Sequence, residues 1–323
     1  MQIERINNNP DKLSAYFRLA SVYGSVFNSE PWVNAFKEVL DIYCFCDNEG
    51  KVTGGFQMTR EKKALFFSFL RTPLYQPNIA FFFEPRARNA AKQNDEIRSY
   101  IRAISNSSLL KATVLSYAFP PEFKDMLPFV HSGFKVIPNY TYQINLQQSE
   151  EQIFSLFSPE RRNDINRAVK DGLVCRQENN TDVIFDLINQ TFSEKKDHLY
   201  TGHVKKILQA FHNNPYSCGF VTRTGETPLA ACYVLYTKRR AYYLLGGYSH
   251  NNRHGGAGAM AIWEAIKFLK KQEVQWFDFE GSMIPEVEKY FRGFGGELVP
   301  YYMVNKASFA IEVLLKTIKR SQF

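Results

Sequence analysis

Short apolar runs separated by charged turns dominate the first half of the chain and return in the second half in the same order. Alternating apolar and polar residues between clusters of Asp, Asn, Gly and Lys predict antiparallel strands joined by tight turns. The predicted strands are Ile42–Cys46, Lys51–Met58 and Ala64–Leu70, with a charged turn at Arg60–Lys63, and Cys218–Thr222, Leu229–Tyr236 and Ala241–Tyr248, with a charged turn at Lys238–Arg240.

Each set of strands leads into a helical stretch and one more strand. The helical periodicity covers Asn94–Ser107 and Ala259–Lys271, and the strands that follow are Ala112–Tyr117 and Val274–Glu280. The ends of the two sets also match. Two copies of one α/β domain explain this repeat most simply. We predict domains over residues 1–145 and 146–306, followed by a C-terminal helix over residues 307–323.

Length and composition agree with two folded domains. A chain of 323 residues with 45% apolar content can fill two cores. Its five cysteines are odd in number and scattered, so nothing in the sequence suggests a disulfide framework. A net charge of +8 favours acidic partners such as nucleic acid, anionic lipid or a phosphorylated cofactor. No signal peptide or long apolar span is evident, so the sequence predicts no transmembrane segment and a cytoplasmic location.

A glycine-rich turn precedes the second predicted helix. Glycine lets a backbone approach a ligand closely and reach dihedral angles that side chains forbid, and a helix N-terminus attracts anions through unpaired N–H groups. An arginine at the start of the turn adds a cation. The turn predicts a phosphate site, although ordinary turns also use glycine. It consists of Arg253, His254, Gly255, Gly256, Ala257 and Gly258.

Two basic stretches are open to more than one interpretation. The helical run Glu160–Asp171 carries cations that either hold an anionic substrate or form a solvated helix face, namely Arg161, Arg162, Arg167 and Lys170. The stretch Phe309–Ile318 is amphipathic and is followed by Lys319 and Arg320. It is either a helix packed on its domain or one that makes a peripheral membrane contact.

The order of elements resembles the GNAT acyltransferase superfamily, arranged in tandem as in FemABX-type proteins. Arg253–Gly258 satisfies the Arg/Gln-x-x-Gly-x-Gly/Ala pattern with which GNAT enzymes bind the pyrophosphate of coenzyme A. The resemblance implies an α/β (α+β) fold of two tandem domains, each with a mostly antiparallel, mixed central sheet flanked by helices. It also implies that acetyl-CoA or another acyl-CoA is the co-substrate, bound by the six residues of the turn.

Other segments are similar to FemABX-type proteins in particular. These segments are Arg162–Ala168, Phe277–Ser282 and Tyr290–Gly296. FemABX-type proteins add amino acids from aminoacyl-tRNA to peptidoglycan precursors. Where they carry Lys in Phe-Lys-x-Gly-Phe-Gly-Gly, this chain has Phe291, which favours an acyl-CoA donor over tRNA. The first half has Leu70–Leu74 in place of the glycine turn, so we expect its donor site to be degenerate.

Acyl transfer to an amine requires a base for the amine and a proton donor for the leaving thiolate. Glu280, at the end of its predicted strand, is the candidate base. Ser282 and Tyr290 are the candidate donors, although Tyr290 is expected to point away on its helix. The candidate acceptor-binding residues are Arg161, Arg162, Lys170 and Tyr248. No residue spacing is typical of a metal site, and none is predicted.

The sequence therefore predicts an N-acyltransferase that uses acetyl-CoA or another acyl-CoA. Its acceptor is expected to be an amine of an acidic small molecule, a nucleotide-sugar or another cell-envelope precursor. One alternative is an aminoacyl-tRNA-dependent FemABX-type peptidyltransferase of cross-bridge synthesis. A second alternative is a non-catalytic module that binds polyanions such as RNA or anionic lipid.

Overall fold

A computed structural model describes residues 1–63, 67–194, 201–281 and 283–318. The chain forms two compact units, Met1–Asn139 with Pro300–Phe323, and Tyr140–Val299. This division differs from the sequence-based boundary at residue 146. Strand pairing explains the difference, because residues 143–145 pair with Trp276–Asp278 in the second unit and residues 303–307 pair with Val114–Ala118 in the first.

The first unit contains a sheet of order β1-β2-β3-β4-β6-β13, where β13 is Glu297–Ala307, and β5 also pairs with β3. Its aromatic core includes Phe45, which meets Tyr100 edge to face at 4.9 Å between ring centroids. The elements are β1 (Gln2–Arg5), α1 (Pro10–Tyr23), α2 (Glu30–Phe36), β2 (Leu40–Cys46), β3 (Val52–Lys63), β4 (Phe67–Arg71), β5 (Phe82–Phe83), α3 (Ala90–Asn106), β6 (Val114–Ala118), α4 (Leu127–His131) and the start of β7 (Lys135–Asn145). Short 3₁₀ helices cover Val26–Asn28 and Ser108–Leu110.

The second unit contains a sheet of order β7-β12-β11-β10-β9-β8. Its elements are α5 (Glu150–Leu156), α6 (Pro159–Lys170), β8 (Val174–Gln177), α7 (Thr181–Glu194), α8 (Thr201–Ala210), β9 (Ser217–Thr224), β10 (Thr227–Tyr236), β11 (Arg240–Tyr248), α9 (Ala257–Lys271), β12 (Trp276–Asp278), α10 (Pro285–Arg292) and the start of β13 (Glu297–Ala307). After β13 the chain forms α11 (Phe309–Ile318) in the first unit.

Helix α9 anchors the core of the second unit. Its apolar residues recur at helical spacing, and Ile262, Ala265, Ile266 and Leu269 are almost completely buried. They pack against Cys232 and Val234 of β10, in the same core cluster. This burial fixes the position of the N-terminus of α9, which is where the glycine-rich turn lies.

The predicted fold class is confirmed, because both sheets are mixed and mostly antiparallel. The parallel pairs recorded are β4 with β6 and β11 with β12. Two predicted boundaries were wrong. β3 continues to Lys63 through the predicted charged turn, since Arg60–Lys63 pair with Phe67–Leu70. β12 ends at Asp278, because Glu280 has the left-handed φ of 61°.

Across the described ranges, no helix is long and apolar enough to cross a membrane.

Candidate active site

Strands β11 and β12 lie side by side over a short distance and then separate. They pair only from Arg240–Tyr242 to Trp276–Asp278, while β11 continues to Tyr248. A bulge lies in β11 just after this paired stretch, because Tyr233 of β10 faces Leu245 whereas Val234 faces Tyr243. A bulge bends a strand and changes the direction of its side chains. The carboxyl-terminal half of β11 therefore borders an opening in the sheet.

The glycine-rich turn connects β11 to α9. Gly256 is the N-cap of α9, and no side chain caps the helix from that position. The N–H of Ala257 donates to the His254 carbonyl at 3.1 Å, which leaves the first-turn amides of Gly258 and Ala259 directed out of the helix end. Such amides, with the positive end of the helix dipole, form a ready anion site.

The turn packs closely on α6, and this contact explains its glycines. A Cβ on Gly256 would collide with the carbonyl oxygen of Asp164, and one on Gly255 would lie 2.7 Å from Nη2 of Arg167. Gly255, Gly256 and Gly258 do not have positive φ angles. The expectation that these glycines provide forbidden dihedral angles was therefore wrong, and close approach is their role.

His254 makes two contacts that hold the turn in place. Its Nδ1 accepts a hydrogen bond from the N–H of Gly256 at 3.1 Å, and its Nε2 lies 3.1 Å from Oδ2 of Asp171. Nδ1 can accept only when it carries no proton, so the proton must be on Nε2, where it is donated to Asp171. Asp171, the C-cap residue of α6, thus selects the tautomer of His254 that can accept the hydrogen bond from Gly256.

Two arginines flank the turn. The guanidinium of Arg253 lies over the Tyr248 ring, 5.2 Å from its centroid. Tyr248 is itself held at the end of β11, because its N–H donates to Oγ1 of Thr191 at 2.7 Å. Arg167 approaches Gly255 from α6 while pairing with Asp164 at 3.2 Å. The turn therefore contains one cation, Arg253, and is approached by a second, Arg167 of α6.

Glu280 lies just past the end of β12, beside the opening in the sheet. Its Oε1 is enclosed, and among the described residues no donor lies within hydrogen-bonding distance of it. Burial raises the pKa of the Glu280 carboxyl well above its usual value, and the nearby Asp278 raises it further. A left-handed φ at a non-glycine residue is a strained conformation of the kind found at functional sites.

Asp278 holds the backbone at Glu280 in place. It is buried, and its Oδ1 accepts hydrogen bonds from Thr141 at 2.6 Å and from the N–H of Glu280 at 2.8 Å. Its Oδ2 accepts from Gln143 at 2.8 Å. Burial raises the Asp278 pKa, although Arg240 and these hydrogen bonds oppose the rise. Asp278 has its partners within the fold, whereas the Oε1 of Glu280 has none among the described residues.

Tyr290 faces the glycine-rich turn, so the expectation that it points elsewhere was wrong. Its hydroxyl lies 3.2 Å from where a Cβ on Gly258 would be. The Arg161 guanidinium lies over its ring, 4.6 Å from the centroid. Burial raises the pKa of Tyr290, and Arg161 partly opposes this. The neighbouring Phe291 is directed into the core instead, with its ring stacked on Phe279 at 4.8 Å.

Tyr243 is a second hydroxyl at this place that sequence analysis did not single out. Its hydroxyl occupies the position that a Cβ on Gly246 would take, so only glycine fits there. Burial raises the Tyr243 pKa well above its usual value, and Cys232 and Tyr290 add to the rise. The bulge in β11 places this side chain, and a bulge has no signal in the alternation of residues.

The basic residues of α6 are not gathered into one surface. Arg161 is buried and pairs with Glu160 at 2.8 Å and Asp164 at 2.9 Å. Arg162 donates to the carbonyls of Ser155 at 2.9 Å and Phe157 at 2.7 Å, which closes the end of α5. Lys170 is exposed on the same helix. The guanidiniums of Arg161 and Arg162 therefore stabilise the fold, and Arg167 is the cation of α6 that reaches the turn.

Ser282 lies outside the described residues, so its predicted role is left as a prediction. In the part of the chain that the structure describes, no group of three or more His, Cys, Asp or Glu residues is arranged to hold a metal ion.

The loop before α3 in the first unit differs from the glycine-rich turn. Its amides at Arg86 and Ala87 both donate to the carboxylate of Glu96, each at 3.1 Å. A negatively charged side chain of the same unit thus occupies the amides of this loop.

Comparisons with known proteins agree with this fold. Residues 160–292 match the family model described as an acetyltransferase (GNAT) domain. No curated protein matches the sequence with significance.

Several solved structures share the fold over almost the whole chain. FemX aligns with a TM-score of 0.68 and 12% identity, covering 98% of this chain and 99% of FemX. The C-terminal domain of a putative lysylphosphatidylglycerol synthetase from Agrobacterium fabrum aligns with a TM-score of 0.58 and 12% identity, covering 96% and 97%. A tandem GNAT protein from the clavulanic acid biosynthesis pathway aligns with a TM-score of 0.50 and 10% identity, covering 94% and 98%.

The family model over residues 160–292 and the shared fold identify an acyltransferase. Residues 160–292 match the GNAT domain, and the whole chain has the fold shared by FemX and a tandem GNAT protein.

Proposed function

We propose that this chain is an N-acyltransferase that takes an acyl group from acetyl-CoA or another acyl-CoA. The observation that carries the proposal is the N-terminus of α9, where the first-turn amides point out of the helix end and the preceding turn contains Arg253 and is approached by Arg167. The pyrophosphate of coenzyme A is a double anion of the size that such a helix end binds. We propose no donor site in the first unit, because Glu96 already accepts the hydrogen bonds of the loop amides before α3.

Glu280 is the proposed base. Its carboxylate takes a proton from the acceptor amine, the nitrogen attacks the thioester carbonyl, and the carbon–sulfur bond breaks. A raised pKa suits this role, because a base is most effective when its pKa is near the working pH. Tyr290 is the proposed acid that gives its hydroxyl proton to the departing thiolate. Solvent returns that proton, and Glu280 releases its own.

The acceptor is proposed to be an amine on an acidic precursor of the cell envelope, reached in the cytoplasm. Support comes from FemX and from a protein named as a putative lysylphosphatidylglycerol synthetase, which share the fold. An acceptor carrying phosphate groups, linked to a nucleotide or to a lipid, suits a chain of net charge +8. Lys170 is exposed and is a candidate contact for such an acceptor.

Calorimetric titration with acetyl-CoA, a longer acyl-CoA and free CoA tests the donor site. We expect saturable binding and a raised melting temperature for the wild type, and loss of both in the double variant Arg253→Ala, Gly256→Val. The matched control is Arg176→Ala, Gly202→Val, which changes an exposed arginine and a glycine with open space around it. If no CoA species binds the wild type, the acyl-CoA proposal is wrong.

An aminoacyl-tRNA donor is the second candidate, and the similarity to FemX favours it. It predicts transfer to an envelope precursor that needs charged tRNA and stops when ribonuclease is added. Transfer with purified acyl-CoA, unaffected by ribonuclease, would exclude it. The two donors are thus separated by one assay with and without the nuclease.

A further inference from the structure

One end of the sheet in the first unit gathers exposed apolar side chains. β2, β4 and β6 begin at this end, while β3 and β13 finish there. The register shows the arrangement, since Leu40 faces Thr59, Phe69 faces Val114, and Val114 also faces Ala307. The exposed apolar residues at these strand ends are Val39, Phe67, Leu109 and Phe309, with 46%, 44%, 46% and 85% of their surfaces accessible.

Helix α11 extends this end with an apolar face directed outward. Phe309, Val313 and Leu314 are exposed, the last two by 49% and 57%. At 100° per residue these three positions, with the exposed Ala310 and Thr317, lie on one side of the helix. Burying such a face is strongly favoured, so an apolar surface of this kind indicates a partner.

The same end carries a positive rim. Lys37, Lys62 and Lys111 are exposed there. Arg60 ties the segment of Lys111 to β3, because its guanidinium donates to the carbonyls of Lys111 at 2.9 Å and Leu109 at 3.0 Å.

Two acidic residues of this end form ion pairs. Glu61 pairs with Arg71, and Glu312 pairs with Lys316 at 3.0 Å, while Glu38 is exposed. The three exposed rim lysines therefore outnumber the exposed carboxylate of Glu38. Apolar side chains with a lysine rim are complementary to an anionic bilayer, where apolar groups enter the headgroup boundary and lysines meet the lipid phosphates.

We propose that this end of the first unit, from Phe67 and Leu109 to the outer face of α11, docks on the surface of an anionic phospholipid bilayer. The surface is separate from the proposed donor site and does not depend on acyl transfer. All of its residues belong to the first unit, so it lies on one compact body.

Vesicle co-sedimentation tests the proposal. The probes are vesicles of phosphatidylcholine alone and with about 30% phosphatidylglycerol. We expect binding to the anionic vesicles that weakens as salt rises, and little binding to the neutral ones. Lys62→Gln with Lys111→Gln should weaken binding by about 25-fold, at about fivefold for each lysine. Phe309→Ser with Leu314→Ser should abolish it.

The matched control is Val22→Ser with Lys92→Glu, an exposed apolar residue and an exposed lysine elsewhere in the same unit, which should bind like the wild type. Melting temperatures show that each variant is folded. Phe309→Trp adds a direct readout, because its fluorescence should be quenched by brominated lipid beyond the wild-type level. Unchanged binding in both patch variants would overturn the proposal. The proposal would also be overturned if the wild type did not bind anionic vesicles, or if the wild type formed a dimer that depended on Phe309 and Leu314.

Discussion

The Nδ1 atom of His254 accepts a hydrogen bond from the backbone N–H of Gly256, at a distance of 3.1 Å, and this bond shapes the turn at the N-terminus of α9. Within the Arg/Gln-x-x-Gly-x-Gly/Ala pattern, His254 occupies one of the unspecified positions. Its contact shows that an unspecified position can determine whether the pattern adopts its binding conformation.

Loss of this acceptor should therefore weaken donor binding. We expect His254→Ala to reduce acetyl-CoA affinity about fivefold in calorimetry, because one partly buried hydrogen bond that orders the amides is worth about 1 kcal/mol. His254→Asn should recover much of the affinity, since its side-chain oxygen can accept from the N–H two residues later. Equal affinities for the alanine variant and the wild type would show that the turn forms without His254.

Replacement of the proposed base should greatly reduce turnover but leave donor binding unchanged. Glu280→Gln is expected to lower kcat by at least a hundredfold at unchanged acetyl-CoA affinity. In the wild type the base must be ionised, so kcat/KM should fall as pH decreases through a pKa well above the ordinary glutamate value of about 4.3. A pH profile that is flat down to that value would contradict the assignment.

The same substitution should stabilise the fold. Glu280 has a higher pKa folded than unfolded, so the unfolded chain ionises first and stability is lost as pH rises from the unfolded pKa towards the folded one. Gln cannot ionise. Melting temperature should therefore be higher for Glu280→Gln than for the wild type at pH 7 to 8, and the difference should shrink below about pH 4. A difference independent of pH would point to packing instead.

The two hydroxyls near the glycine-rich turn should differ in importance. Tyr290 approaches Gly258, so Tyr290→Phe should lower kcat by about tenfold to a hundredfold with little change in KM for the donor. Tyr243→Phe should have a smaller effect, since Tyr243 lies over the β11 backbone at Gly246. Rapid-quench kinetics of each variant can separate chemistry from product release. A larger loss of kcat in Tyr243→Phe than in Tyr290→Phe would indicate that Tyr243 is the acid.

Substitution of two arginines of α6 should have different effects, one on the stability of the fold and the other on donor binding. Arg161 is buried with two carboxylate partners, so Arg161→Ala should lower the free energy of unfolding by about 3 kcal/mol. Arg167 is exposed beside Gly255, so Arg167→Ala should leave stability within about 0.5 kcal/mol and weaken acetyl-CoA binding about tenfold. Denaturant unfolding and calorimetry measure the two effects on the same samples.

Much of the architecture could be predicted from local patterns. The succession of strands along each half, the helix α9 and the position of the glycine-rich turn follow from apolar periodicity and from glycine placement, which are local properties. Glu280 was also singled out in this way, as a candidate. Its left-handed φ could not be predicted, because a strained residue is held by distant groups such as Thr141 and Gln143, which bind Asp278 two residues earlier.

The sequence by itself determined the two repeated α/β domains and the chemistry available to them: a glycine-rich helix start, a carboxylate and a tyrosine. The tertiary structure decided which side chains meet. It buried Arg161, brought Arg167 and Asp171 to the turn, turned Tyr290 towards α9 and placed Tyr243 over Gly246. Periodicity fixes which face of an element is buried, whereas contacts between elements depend on bulges, helix packing and the ends of strands, which no local pattern encodes.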